Sequence, residues 1–242
     1  MKGSLGIIQE SWKDFLSWKM LFINLGPVLI GLLFWGILLF YFGDNFVRII
    51  EGFLPSGWVR YAHSGGFMPA FLLLVLKFFV YMLLGLSVLV LSLVGNVLVA
   101  IFYTPIVVTY VHKRDYPQLS LEGFGDIGFC LQHFLKQLGY LCMFLLVCSP
   151  LYFIPFIGVF ISLIPHYFFF KNTLSFDIAT SVFNQERYAE VLRVYKVSHH
   201  KISILAYLFS LIPIFNFFAT LLQTIILTRY FLEVKAQEKL AH

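Results

Sequence analysis

Charge is what this chain has least of: only 12% of its 242 residues are Asp, Glu, Lys or Arg, against 60% that are hydrophobic. The 12 acids fall almost entirely in short polar stretches, and no Ser/His/Asp, Cys/His or paired-carboxylate arrangement stands at a spacing that nucleophilic or acid–base chemistry needs. No catalytic residue, and hence no enzyme, is expected. Cysteine is scarce too. Cys130, Cys142 and Cys148 lack metal-ligand spacing, and two lie in an apolar run where a thiol behaves as a small hydrophobe. Neither metal nor cofactor is expected. Walker, dinucleotide and zinc-finger patterns are missing, as is any basic and aromatic array suited to single strands. The net charge of +5 therefore reads as basic cytoplasmic loops, not as a nucleic-acid surface. No small-x-small cleavage pattern follows the first apolar run, which reads as an uncleaved span. The alternating short strands of an outer-membrane barrel are absent as well.

What fills the space is long apolar sequence, with a mean hydropathy of +0.87. A soluble domain of this length has no interior large enough to bury that fraction, so the fold class is an all-α integral membrane protein. Residues 1–19 read as an amphipathic interfacial helix, with Ile8, Trp12, Phe15 and Leu16 on one face and Glu10, Lys13 and Asp14 elsewhere. Ser-Trp-Lys occurs twice in this helix, at Ser11-Trp12-Lys13 and Ser17-Trp18-Lys19, as in an interfacial anchor. A first span covers 20–42, and Gly43–Gly66 reads as a polar loop. The tract 67–111 is long enough for one extended helix or two short spans. One crossing with a cytoplasmic N-terminus keeps nearly all of the later Lys and Arg inside, so charge favours a single long second helix and cytoplasmic termini.

Two further apolar blocks, 138–170 and 202–231, are each interrupted by proline in similar words: Phe153-Ile154-Pro155-Phe156-Ile157-Gly158 and Leu211-Ile212-Pro213-Ile214-Phe215-Asn216. Two crossings and a turn need about 44 residues, so each block is too short for two spans and too long for one. Proline removes a donor and Gly or Asn favours reversal, which predicts two re-entrant helical hairpins with apices at Pro155–Gly158 and Pro213–Asn216. Those apices either present half-helix ends to a polar path, or satisfy their own backbone through the Asn216 side chain. The stretch 171–201 between them reads as a cytoplasmic amphipathic insert. Ser175 would cap a short helix over Phe176–Phe183, and Asn184 a second helix with Tyr188, Val191, Leu192 and Tyr195 on one face. The tail Glu233–His242 reads as frayed.

Lys13 and Lys19, with Trp12 or Trp18 excluding water, can form an anion site at a helix start, or a plain Trp/Lys interfacial belt. Lys77 and His166 stand out as ionisable residues in apolar surroundings, read respectively as snorkelling and as an interfacial hydrogen-bonded ring. His199-His200 reads as an interfacial cluster.

The order of parts resembles the CysZ-type sulfate permease family, related to the etoposide-induced membrane proteins. Leu211-Ile212-Pro213-Ile214-Phe215-Asn216 is similar to that family's Leu-Ile-Pro-x-x-Asn segment, Thr104-Pro105-Ile106 to its Ala-Pro-Phe break, and Ser175-Phe176-Asp177 to its aromatic/aliphatic-Asp element. Where family members carry Pro-Gly-(Leu/Ile)-Arg before the first span, this chain reads Trp18-Lys19-Met20-Leu21, with Lys19 as the cation there. The resemblance implies an inner-membrane permease or channel for a small, sulfate-like oxyanion. The hairpins would build the conduit, and since one protomer supplies little wall, a homo-oligomer is expected. The alternative is a non-transporting scaffold whose hairpins wedge into one leaflet while 171–201 holds anionic lipid.

Overall fold

The computed structural model describes residues 3–53, 57, 60, 64, 66–69, 71, 74–75, 78–79, 81–82, 84–88, 103–154 and 157–241. Lys77 and Pro155 lie outside the described residues, as does the middle of the expected long second helix. The chain divides into two units, Met1–Leu21 with Ala100–His242, and Phe22–Val99. All regular structure among the described residues is helical.

In the first unit, α1 (Ser4–Phe15) buries Ile7, Ser11, Asp14 and Phe15. This is a correction to the sequence reading. Asp14 belongs to the covered face and Leu16 is 59% exposed, because α1 meets a buried cation described below and not a purely apolar groove. Ser11 stays satisfied by donating to the Ile7 carbonyl at 2.7 Å. The chain breaks at Leu16-Ser17, and the Ser17 hydroxyl accepts from the Met20 amide at the start of α2 (Trp18–Phe53).

The second unit holds the rest of α2, which passes through Pro27 and also through Gly43-Asp44-Asn45, where a loop is expected. Asp44 does not end the helix there; its carboxylate accepts from the Tyr81 hydroxyl at 3.1 Å. Leu29, Leu33, Phe34, Ile37 and Phe40 all stand exposed. Met20, Asn24, Gly26 and Gly43 are buried, but most of the large apolar side chains between them face outward, which fits a helix surrounded by lipid.

Back in the first unit, α3 (Tyr103–Asp115) buries Thr104, Val107, Val108 and Val111 on one face. The Asp126 carboxylate caps α4 (Ile127–Cys148) by accepting from the Phe129 amide at 2.8 Å, so this arm starts well before Leu138. A 3-10 turn over Ser149–Phe153 ends α4, and α5 (Ile157–Val182) returns along it. His133 stacks on Phe176 with centroids 3.6 Å apart, while Asn172 donates to Gln137 at 3.1 Å, so the two helices run antiparallel. The continuation of α5 through Ser175 corrects the expected cap. The Ser175 hydroxyl is engaged by His199 at 2.8 Å and is not available to a helix start.

Asn184 does cap α6 (Gln185–Val194), accepting from the Arg187 amide at 2.9 Å. The second broken pair is α7 (Lys196–Leu208) and α8 (Asn216–Ala241). Gln223 on α8 donates to the Ala206 carbonyl at 3.2 Å, and His199 lies against Tyr230, which again fixes an antiparallel return. Far from fraying, the end of α8 is tied down. Lys235 reaches Glu122 at 3.1 Å, and Arg187 donates to Glu238 at 2.9 Å. Among the described residues three helices, containing Trp18–Asn45, Gly128–Tyr152 and Asn216–Lys239, are long and apolar enough to cross a membrane. The last is 78% buried, so protein and not lipid surrounds most of it.

Candidate functional site

Along α3, Pro105, Thr109 and Lys113 succeed one another at intervals of four, as do Ile106, Tyr110 and Arg114. These two rows, with Lys19 from the first turn of α2, line an open hollow of about 550 Å³. The Lys19 ammonium sits over the Tyr110 ring, 5.3 Å from its centroid. Lys113 and Arg114 end α3, where cations favour the carbonyl end of the helix. Lys19 and Lys113 are exposed, and among the described residues no carboxylate lines the hollow. The local charge is therefore positive.

Arg114 belongs to the wall more than to the opening. It donates to the Tyr110 hydroxyl at 3.1 Å and to Asp115 at 2.9 Å, and it pairs with Asp14. Behind it lies Arg229, 2% exposed, which donates to Asp14 at 2.6 Å, to Glu10 at 2.9 Å and to Asp115 at 2.5 Å. Three helices far apart in sequence, α1, α3 and α8, thus share one ion-pair network. Burial alone would raise the Asp115 pKa. The Arg114 hydrogen bond and the Arg229 charge outweigh it, holding the carboxyl below its usual value. The network fixes α3 against α1, and so fixes Lys113 relative to Lys19.

Of the candidate binding and hairpin-apex residues singled out from the sequence, only Lys19 lines the hollow, beside Pro105 and Ile106 of the quoted proline break. Lys13 is exposed, and Trp18 is 87% exposed. Trp12 instead stacks on Phe215 at 5.8 Å and meets Phe209 edge-on at 5.6 Å, so α1 covers the second proline break. At that break Ile214 takes φ 65°, a left-handed conformation rare for a β-branched residue, and the Asn216 amide donates to the Ile212 carbonyl at 3.0 Å. At the first break, a Cβ on Gly158 would come within 2.8 Å of the Tyr152 backbone, so only glycine permits that approach. Two of the quoted sequence elements meet in space: the Thr104 hydroxyl donates to the Asp177 carboxylate. His166, exposed, bonds the Ser162 carbonyl at 2.7 Å. His199 is buried beside Ser175 and Tyr230, and burial, with Lys171 and His200 nearby, lowers its pKa to about 4.

The sequence reading missed Lys113 as a lining residue and Arg229 as the network's centre. A signal for Arg229 exists, since an arginine follows a long uncharged run on the last helix.

A family model described as sulfate transporter CysZ/etoposide-induced protein 2.4 matches residues 7–220. No curated protein and no solved structure gives a match.

Proposed function

The chain belongs to the sulfate transporter CysZ/etoposide-induced protein 2.4 family, and on that premise we propose that it is an inner-membrane permease or channel for a small, sulfate-like oxyanion. The observation carrying this reading is the convergence of Lys19 and Lys113, from different helices, on one hollow that no carboxylate lines among the described residues. The work is passage, not catalysis. A dianion loses part of its water shell on arrival, and two ammonium groups with the Thr109 hydroxyl replace it. Lysine acts as a point charge without the bidentate fork of arginine, so it holds the ion loosely. Loose holding suits conduction, which needs attraction strong enough for entry and weak enough for exit. The proline-broken hairpins α4–α5 and α7–α8 re-enter the bilayer from the cytoplasmic side, and several protomers together complete the wall around the path.

Purified protein in proteoliposomes should take up radiolabelled sulfate. The Lys19→Ala/Lys113→Ala pair is expected to reduce uptake by more than about tenfold, the loss of two charge-assisted contacts. Lys13→Ala, whose side chain stands away from the hollow, should leave it unchanged. Absence of flux for every oxyanion tried overturns the reading.

A further inference from the structure

A second group of basic side chains lies elsewhere, midway along α5 and at the start of α7. Tyr167 and His200 join the two helices there, with hydroxyl and Nδ1 3.0 Å apart. Lys171 stands over the Phe168 ring, 5.6 Å from its centroid, and Phe168 in turn lies 6.4 Å from His200. Lys196, at the start of α7, completes the group. The charged neighbours acting on Lys171 and His200 are themselves cations: Lys196 on Lys171, and both lysines on His200. Among the described residues no carboxylate is paired with any of the three. When Tyr167 donates to Nδ1, the ring proton of His200 sits on Nε2 and remains available to an acceptor.

The surface next to this group is apolar. On α5, Ile164 and Phe168 precede Lys171 at i, i+4 and i+7 and are 53% and 40% exposed. On α7, Ile204 and Leu208 are 39% and 49% exposed. The helices are antiparallel, since Tyr207 reaches the Leu163 carbonyl while His199 meets Ser175. Both apolar rows therefore run from the cations toward the proline breaks. A free oxyanion needs the cations alone. A molecule with a phosphate at one end and hydrocarbon at the other matches the whole surface.

We propose that Lys171, Lys196 and His200 hold the phosphate of an anionic phospholipid whose acyl chains lie along Ile164–Phe168 on one helix and Ile204–Leu208 on the other. Each lysine near an anionic headgroup contributes about 1 kcal/mol, so the pair sets a selectivity of more than tenfold over a neutral lipid. The site is separate from the hollow and does not depend on what the protein transports.

The test uses the full-length protein in nanodiscs of phosphatidylcholine doped with phosphatidylglycerol, with lipid retained after detergent extraction counted by native mass spectrometry. Wild type should retain phosphatidylglycerol preferentially. Lys171→Ala/Lys196→Ala should lower that retention roughly tenfold, whereas Lys136→Ala and Lys19→Ala should not. Retention unchanged in the Lys171/Lys196 pair overturns the proposal. So does displacement of phosphatidylglycerol by millimolar inorganic phosphate, which would identify a site for free oxyanions. If the double variant fails to fold, a photoactivatable phosphatidylglycerol on wild type decides. Crosslinks must map to 164–171 and 196–208, and crosslinks confined to other segments reject the site.

Discussion

Arg229 shows how much one side chain can hold. Its guanidinium is withdrawn from water and satisfied by Glu10, Asp14 and Asp115, while Asp14, fully buried, also meets Arg114. Removing one member of such a network leaves an opposite charge buried without its partner. Arg229→Ala is therefore expected to destabilise the protein by about 3–5 kcal/mol, seen as a fall in melting temperature in detergent. Asp14→Asn combined with Arg229→Met should recover part of that loss, because the stranded carboxylate goes too. Equal melting of Arg229→Ala and wild type would show that the network contributes nothing. The sequence hides this interaction. Asp14 lies in a helix whose polar face looks solvated, and its partner is 215 residues away.

Among the elements, local signals were legible and long-range ones were not. Asn184 caps α6 by bonding an amide three residues on, a contact that the sequence spacing already contains. Pro213 with the turn after it marks the second reversal equally well. Ser175 has the same local appearance as a cap, yet it sits inside α5, because His199 from α7 takes its hydroxyl. That contact gives α7 a pH response. Burial lowers His199 to about 4 in the folded protein from an ordinary 6.5, with the charges of Lys171 and His200 acting in the same direction. The unfolded chain thus binds the proton more readily. The stabilisation is complete above pH 6.5 and is lost as pH falls toward 4, reaching about 3 kcal/mol. Melting temperature should fall across that window, and His199→Gln should flatten the fall. An unchanged slope in the variant would place the titration elsewhere.

For the molecule as a whole, the broken helix pairs are visible in both composition and structure, and their relation to the bilayer is open to a direct measurement. Gly158 makes a poor labelling site because no side chain fits beside Tyr152. Ile154 and Ile214, 43% and 75% exposed, are better positions for single cysteines in a chain freed of Cys130, Cys142 and Cys148. With re-entrant hairpins, a membrane-impermeant thiol reagent added outside should label neither. External labelling of either one would mean that its pair crosses completely. The Trp-Lys entry points to Lys19 in the sequence, but Lys113 does not stand out from the other lysines, since the hollow exists only once α2 and α3 meet. The seating of α1 on α8 also has a consequence for biogenesis. During synthesis α1 is made long before α8, so Asp14 has only Arg114 to pair with until Arg229 follows. The shared network is thus completed only when α8 arrives, and a chain stalled before α8 should present a loose amphipathic segment to quality-control proteases.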